Sequence, residues 1–77
     1  FRIFPNPTTT STSIQFENDQ NDYEIEVFNK EGQLILKHEP LESPCKIDFS
    51  DFQKGVYFIA VKNKTSNNLY HEKIIKI

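Results

Sequence analysis

The chain is 77 residues long, a length that allows one domain with a single small core. Its formal net charge of −2 gives no indication of binding to nucleic acid or to anionic membranes. The single cysteine, Cys45, excludes an internal disulfide and a cysteine-based zinc site, and no apolar run approaches the roughly 20 residues of a membrane span.

The first residues combine a short apolar run with two closely spaced prolines. The chain starts at Phe1, not at methionine, so we expect residues 1–77 to be one domain excised from a longer protein. Pro5 and Pro7 exclude a helix and a central strand, and Asn6, which precedes a proline, is restricted to extended conformations. We predict an extended elbow at residues 4–7 that sets the angle at which the preceding segment leaves the domain.

Short runs of alternating apolar and polar residues then continue to the end of the chain. This period of two, with turn residues between the runs, predicts an all-β fold: a small immunoglobulin-like antiparallel β-sandwich of about seven strands. Residues 49–55 are the one candidate for a short helical turn. The clearest strands are 12–17, 23–29, 33–38, 45–49, 56–62 and 68–77. The predicted core consists of Ile14, Phe16, Ile25, Val27, Leu36, Ile47, Phe49, Phe58 and either Ile74 or Ile75.

Two glycines stand where turns between strands are expected. Gly32 lies in a hairpin loop that runs from Asn29 to Gln33, and it can adopt the left-handed conformation such a loop needs. Gly55 can supply positive φ at a tight corner. We predict that the Tyr57 hydroxyl bonds back to the backbone of residues 51–54, as in the tyrosine corner of immunoglobulin-like sandwiches.

The sequence contains no recognisable pattern of catalytic or metal-binding residues. His38 and His71 lack a third metal ligand at suitable spacing, and the acidic residues are scattered over polar strand faces. Cys45 occupies a position of its predicted strand that faces the core, as a small buried apolar residue does. No nucleophile elbow or glycine-rich phosphate loop is present. We therefore expect no enzyme activity, no catalytic or metal-binding residues and no cofactor. The glycosylation triplet at residues 63–65 is too short to carry weight.

Four motifs in order resemble those of one known family. The matching residues are Phe4-Pro5-Asn6-Pro7, Asn29 with Gly32-Gln33, Phe52 with Gly55 and Tyr57, and Lys73-Ile74-Ile75-Lys76. In order and spacing they resemble the C-terminal sorting domain of the type IX (Por) secretion system, type A family, over nearly the whole chain. Phe49 and Phe52 stand where that family commonly has leucine, and Ile77 follows the terminal lysine.

The resemblance implies a secretion signal with no chemistry of its own. Such a domain lies at the C-terminus of a cargo protein that reaches the periplasm of a Gram-negative bacterium by a signal peptide. The implied partners are the outer-membrane translocon and shuttle proteins, a surface sortase-like cysteine protease that removes the domain, and the fused upstream cargo. Neither nucleic acid nor stable membrane insertion is expected. The cargo would become secreted or attached to the cell surface.

The final strand is the expected recognition element. Lys73 and Lys76 are three residues apart, so a strand places them on opposite faces, with Ile75 beside Lys73 and Ile74 beside Lys76. We expect both charges to be exposed. This segment could add to an open sheet edge of a receptor. Alternatively, the lysines only protect a terminal edge strand from aggregation.

A different class of function also fits a small secreted sandwich. An accessory module of an enzyme or adhesin would bind carbohydrate or act as a spacer. A carbohydrate binder would expose several aromatic side chains on one face, and the candidates are Phe28, Tyr57 and Tyr70. A spacer would not require the extreme C-terminus.

Overall fold

The computed structural model describes residues 2–16, 22–40 and 44–77. These residues form seven strands and no helix, as the alternating sequence pattern predicts. The strands are β1 (Arg2–Phe4), β2 (Ser11–Gln15), β3 (Tyr23–Asn29), β4 (Leu34–His38), β5 (Cys45–Asp48), β6 (Gly55–Asn63) and β7 (Asn68–Lys76). Residue 17 of a predicted strand, most of the 18–22 loop and the middle of the 39–44 crossover lie outside the described residues.

The strands form two antiparallel sheets, which confirms the predicted small β-sandwich. One sheet has the order β1-β2-β5 and the other has the order β4-β3-β6-β7. The predicted helical turn at 49–55 is one tight turn, closed where the Phe52 N–H donates to the Phe49 carbonyl at 3.0 Å. This turn carries the chain from β5 in the first sheet to β6 in the second.

The inward-facing side chains of both sheets form one core. It contains most of the predicted residues, and Leu36 packs against it from a partly buried position. At the C-terminus Ile74 is fully buried, whereas Ile75 is 39% exposed. The buried predicted residues are Ile14, Phe16, Ile25, Val27, Ile47, Phe49 and Ile74.

The prediction that Phe58 is a core residue is wrong. Phe58 is 37% exposed, and Tyr57, Ile59 and Val61 point into the core instead. β6 is apolar on both of its faces, so alternation alone does not indicate which set of residues faces inward. The packing of Tyr57 determines which residues of β6 face inward, because its ring joins a buried aromatic cluster with Phe49.

The N-terminal segment passes from one sheet to the other at the two prolines. β1 pairs with β2, and three residues after Pro5 the chain forms a parallel bridge between Thr8 and Lys76 of β7. The backbone bends at Asn6 and Pro7, and the peptide bonds before both prolines are cis. The predicted extended conformation holds for Phe4, which ends β1, but is wrong at Asn6 and Pro7, where the chain turns from the edge of one sheet to the edge of the other.

The two ends of the sandwich differ in what they contain. We call one end the motif pole; it holds the hairpin 29–33, the corner 52–57 and the end of β7. We call the other end the far pole; it holds the start of β1, the Phe16–Tyr23 pair and the turn at residues 63–67. The chain runs from the far pole towards the motif pole along β1, because Arg2 pairs with Gln15 and Phe4 pairs with Ser13.

Candidate functional site

The Asn6 side chain joins the N-terminal elbow to the C-terminal strand. Its Nδ2 donates to the Lys73 carbonyl at 2.8 Å, and its Oδ1 accepts the Ile75 N–H at 3.1 Å. Thr8 continues the contact: its N–H donates to the Ile75 carbonyl and its carbonyl accepts the Ile77 N–H, each at 2.9 Å. Two motifs at opposite ends of the sequence are therefore one structural unit.

This contact covers the edge of β7 that would otherwise be open. β7 is an edge strand, and successive residues direct their backbone groups alternately towards β6 and away from it. Asn6 and Thr8 bind the outward-directed groups of residues 73, 75 and 77. A receptor strand could add along this part of the edge only if it displaced the elbow.

Two buried threonines stabilise the elbow through hydrogen bonds of their hydroxyl groups. Thr12 is fully buried and its hydroxyl donates to the Pro5 carbonyl at 2.8 Å. Thr8 is 1% exposed and its hydroxyl donates to the Ser11 carbonyl at 2.5 Å. Neither residue was among the predicted motif residues. The signal was present in the run of β-branched, hydrogen-bonding residues that directly follows Pro7.

The hairpin after β3 explains the asparagine, glycine and glutamine of the second motif. The Asn29 Oδ1 accepts the N–H groups of Glu31 and Gln33 at 3.0 and 2.9 Å, and its Nδ2 donates to the Gln33 Oε1 at 2.9 Å. Gly32 has φ of +84°, as predicted, and its N–H donates to the Asn29 carbonyl. The side chain of Asn29 thus supplies the hydrogen bonds that define the loop.

The corner before β6 has the predicted geometry. The Tyr57 hydroxyl donates to the Gln53 carbonyl at 2.7 Å, and Gly55 has φ of +147°. The Tyr57 ring meets Phe49 edge-on at 5.6 Å between centroids and stacks with Phe52 at 5.3 Å. The third motif is therefore a packed aromatic corner, in which larger rings occupy the leucine positions of the family pattern.

Strand register brings all four motifs to the motif pole. Tyr57 pairs with Asn29 on one side and with Ile74 on the other, and Gly55 pairs with Lys76. A cleft of about 220 Å³ separates the hairpin from the corner. Segments far apart in sequence thus share one surface, which the sequence pattern alone did not predict.

The two terminal lysines differ in exposure. Lys73 is exposed and lies opposite Phe58 on the outer face of the four-stranded sheet, with Ile75 on the same face. Lys76 is only 9% exposed and shares the inner face with Ile74. The predicted opposite faces are confirmed, but the prediction that both charges are exposed is wrong for Lys76. Lys76 as a whole residue is largely covered at the end of β7, on the face that also holds Ile74.

Other candidate groups have structural explanations. The Asn63 side chain of the glycosylation triplet is 9% exposed, and its Oδ1 accepts the N–H groups of Thr65 and Ser66. Burial raises the pKa of the Cys45 thiol. Within residues 2–16, 22–40 and 44–77, no three metal-ligating side chains cluster. The same part of the chain contains no helix that is long and apolar enough to cross a bilayer.

Comparison with known proteins agrees with this geometry. The family model described as "Secretion system C-terminal sorting domain" matches residues 2–77. The chain belongs to this family. It is a sorting domain of the type IX secretion system, a signal that directs a fused upstream cargo through that machinery and across the outer membrane.

Curated relatives match this domain over a small part of their own length. An ulvan lyase of Nonlabens ulvanivorans is 32% identical over 95% of this chain, which spans 14% of the lyase. An endo-acting ulvan lyase of Formosa agariphila is 33% identical over 96% of the chain and 14% of that protein. Beta-agarase A of Zobellia galactanivorans is 28% identical over 83% of the chain and 12% of the agarase.

Proposed function

We propose that the secretion machinery reads the motif pole of this domain while the cargo is attached at the far pole. The observation that carries this proposal is the hydrogen-bonded contact of Asn6 with Lys73 and Ile75, which unites the first and last motifs. β1 begins at the far pole, so a cargo fused before Arg2 leaves the motif pole turned away from it.

The sorting-motif residues divide into two roles in this proposal. Pro5, Asn6 and Pro7 hold the end of β7, while Gly32, Gly55 and Tyr57 shape the two loops beside it; none of these need contact a receptor. Ile74 and Lys76 anchor β7 inwards. Lys73 and Ile75 have neither of these structural roles for their side chains, and both side chains are exposed, so a receptor could contact them.

The finer identities of the partners and the cargo are part of the same proposal. We expect the translocon and shuttle proteins of the outer membrane to bind the motif pole, and a surface sortase-like cysteine protease to cut upstream of β1. Residues 1–77 would be one removable domain of a longer secreted protein. Relatives named for different polysaccharides share this domain, so we infer a polysaccharide-degrading cargo whose substrate the domain does not choose.

Export of a reporter tests the proposal. The chain is fused to the C-terminus of a periplasmic reporter in a bacterium with the type IX system, and the reporter is measured in the medium and in the periplasm. Lys73→Ala should leave the reporter in the periplasm. The matched control is Lys62→Ala, because Lys62 is also exposed on the same sheet but lies towards the far pole.

Both variants should keep the stability of the parent domain, since surface substitutions usually change it by less than about 0.5 kcal/mol. Normal export of Lys73→Ala would mean that the lysine is not read. Failure of the intact chain to export the reporter would overturn the assignment of the motif pole altogether. Deleting residues 73–77 is a weaker test, because it also removes the buried Ile74 and the partner of Asn6.

The carbohydrate-binding alternative gains no support from the three aromatic residues that the sequence suggested for it. Phe28 lies on the outer face of the four-stranded sheet, whereas Tyr57 is buried with its hydroxyl bonded to Gln53. Tyr70 lies on the opposite face from Phe28, since it pairs with the inward-facing Val61. The three side chains therefore form no common platform for a sugar.

A further inference from the structure

The outer face of the four-stranded sheet is apolar near the motif pole and charged near the far pole. Five apolar side chains share the motif-pole half, and we call them the apolar half-face. Phe28 pairs with both Phe58 and Leu34, and Phe58 lies opposite the exposed Lys73. The apolar half-face consists of Leu34, Phe28, Val56, Phe58 and Ile75.

These side chains are accessible on a face that no other element of the described chain covers. Leu34, Phe58 and Ile75 are 49, 37 and 39% exposed. A group of exposed apolar side chains of this kind on a small domain is typical of an interaction surface. The other half of the same face carries the charged residues Glu24, Glu26 and Lys62 together with the exposed Leu69.

The lysines around the apolar half-face form no ion pairs within the described residues. Lys73 lies beside Phe58, while Lys30 and Lys54 line the cleft that reaches Val56. No carboxylate of the described chain is within ion-pair distance of these three lysines, although Glu31 lines the same cleft.

Two lysines towards the far pole differ in this respect. Lys37 contacts Glu24 at 3.5 Å, and Lys64 contacts Glu39 at 3.0 Å. Lys62 also forms no ion pair in the described part of the chain, but it lies opposite Glu24, whereas Lys73 lies opposite Phe58. On the outer face, positive charge without a carboxylate opposite it therefore lies beside the apolar side chains.

We propose that the apolar half-face docks on a partner protein whose own apolar patch is bordered by Asp or Glu side chains. This inference rests on the proposed function, because it specifies what kind of surface reads the motif pole. An apolar centre provides the affinity of such a contact, and opposite charges at its rim provide orientation and a faster association rate.

Two other binding partners of the apolar half-face are less compatible with the charged residues around it. Anionic lipid would attract the lysine rim, but Glu24 and Glu26 on the same flat face would then be pressed against negative headgroups. A second copy of the domain, packed through a two-fold axis on the apolar half-face, would bring one lysine rim against the other. A protein whose apolar patch has an acidic rim would avoid both of these repulsions.

Paired variants of the reporter fusion test the surface. Phe58→Thr and Leu34→Thr each replace an exposed apolar side chain by a residue that favours strands, so both should fold and lower the exported fraction at least about tenfold. Leu69→Thr is the matched control, because Leu69 is 54% exposed on the same face near the far pole. It should be exported like the parent. Folding of each fusion is checked by thermal unfolding.

Charge reversal and cross-linking test the chemistry of the partner. Lys73→Glu should abolish export, Lys73→Arg should retain it, and Lys62→Glu should have little effect. A photoreactive phenylalanine at position 58 should form an adduct during export whose partner peptide contains Asp or Glu beside apolar residues; the same probe at position 69 should not.

Three outcomes would overturn the docking proposal. The first is normal export of folded Phe58→Thr and Leu34→Thr while the parent is exported; this outcome leaves the proposed function intact. The second is Phe58-dependent binding of the purified fusion to phosphatidylglycerol vesicles, which would identify lipid as the occupant. The third is a dimer in sedimentation analysis that Phe58→Thr dissociates. If the parent fusion itself is not exported, the proposed function fails first.

Discussion

The two poles of this sandwich are stabilised in different ways. At the far pole the contacts join neighbouring loops and strands: Asn63 organises its own turn, and Lys64 reaches Glu39. At the motif pole Asn6 bonds to Lys73, 67 residues further along the chain. The far pole thus closes through turns, contacts between loops and surface charge pairs. At the motif pole, the contact that unites the first and last motifs forms only when both ends of the chain have folded together. If the machinery reads the motif pole, as we propose, only the folded domain presents it.

The largest expected difference between the poles concerns their aromatic pairs. Phe49 is fully buried and meets Phe52 edge-on at 5.0 Å, so Phe49→Ala should lower the free energy of unfolding by about 3–5 kcal/mol. Phe16, which stacks on Tyr23 at 3.9 Å, keeps 8% exposure, and Phe16→Ala should cost about 3 kcal/mol. Urea unfolding of both variants checks this order. A larger loss at Phe16 would place the stability centre of the domain at the far pole.

Two asparagines provide a closer comparison of the poles. Asn6→Ala removes two hydrogen bonds to β7 and should destabilise the domain by about 1–2 kcal/mol, with faster amide exchange at Ile75. Asn63→Ala removes two bonds within the 63–67 turn and should cost a similar amount. Only the first should also reduce export of a fused reporter. Equal export of both variants would separate the elbow from recognition.

The tyrosine corner should contribute less. Tyr57→Phe removes only the hydroxyl that donates to the Gln53 carbonyl and keeps the ring in contact with Phe49, so the expected cost is about 1 kcal/mol. Thermal and urea unfolding measure it. A variant as stable as the parent would mean that the packing of the ring, without the hydrogen bond, holds the corner.

The smallest effect is a pH dependence that differs in origin between the poles. The hydrogen bond from Lys64 lowers the pKa of Glu39, and hydrogen bonds from Ser50 lower the pKa of Asp48, near the motif pole. A lowered folded-state pKa means that each group stabilises the fold above its ordinary pKa, about 4, and that this is lost as the pH falls through the folded value. Between about pH 6 and about pH 3, melting temperatures should fall less in Glu39→Gln and Asp48→Asn than in the parent.

Salt separates the two contributions. The Glu39 contribution depends on an exposed ion pair, so about 1 M salt should reduce it by screening. The Asp48 contribution depends partly on the Ser50 N–H at 2.8 Å and should persist. Equal sensitivity of both to salt would contradict these assignments.

Much of the architecture follows from the sequence alone, because strand alternation and turn chemistry are local. The seven strands, the positive φ of Gly32 and Gly55, and the bond from Tyr57 to the 51–54 backbone were all predictable from residues within a few positions of each other. The opposite faces of Lys73 and Lys76 follow from the same period of two. The order and spacing of the four motifs along the chain also predicted the family.

Tertiary structure decided what depends on long-range pairing. The inward phase of β6, with Tyr57 buried and Phe58 exposed, could not be read from a strand that is apolar on both faces. The burial of Lys76 and the bend at the two prolines depend on where β7 meets the N-terminal segment. Local patterns specify strands and turns, but only the register between distant strands brings Asn6 to Ile75 and thereby assembles the motif pole.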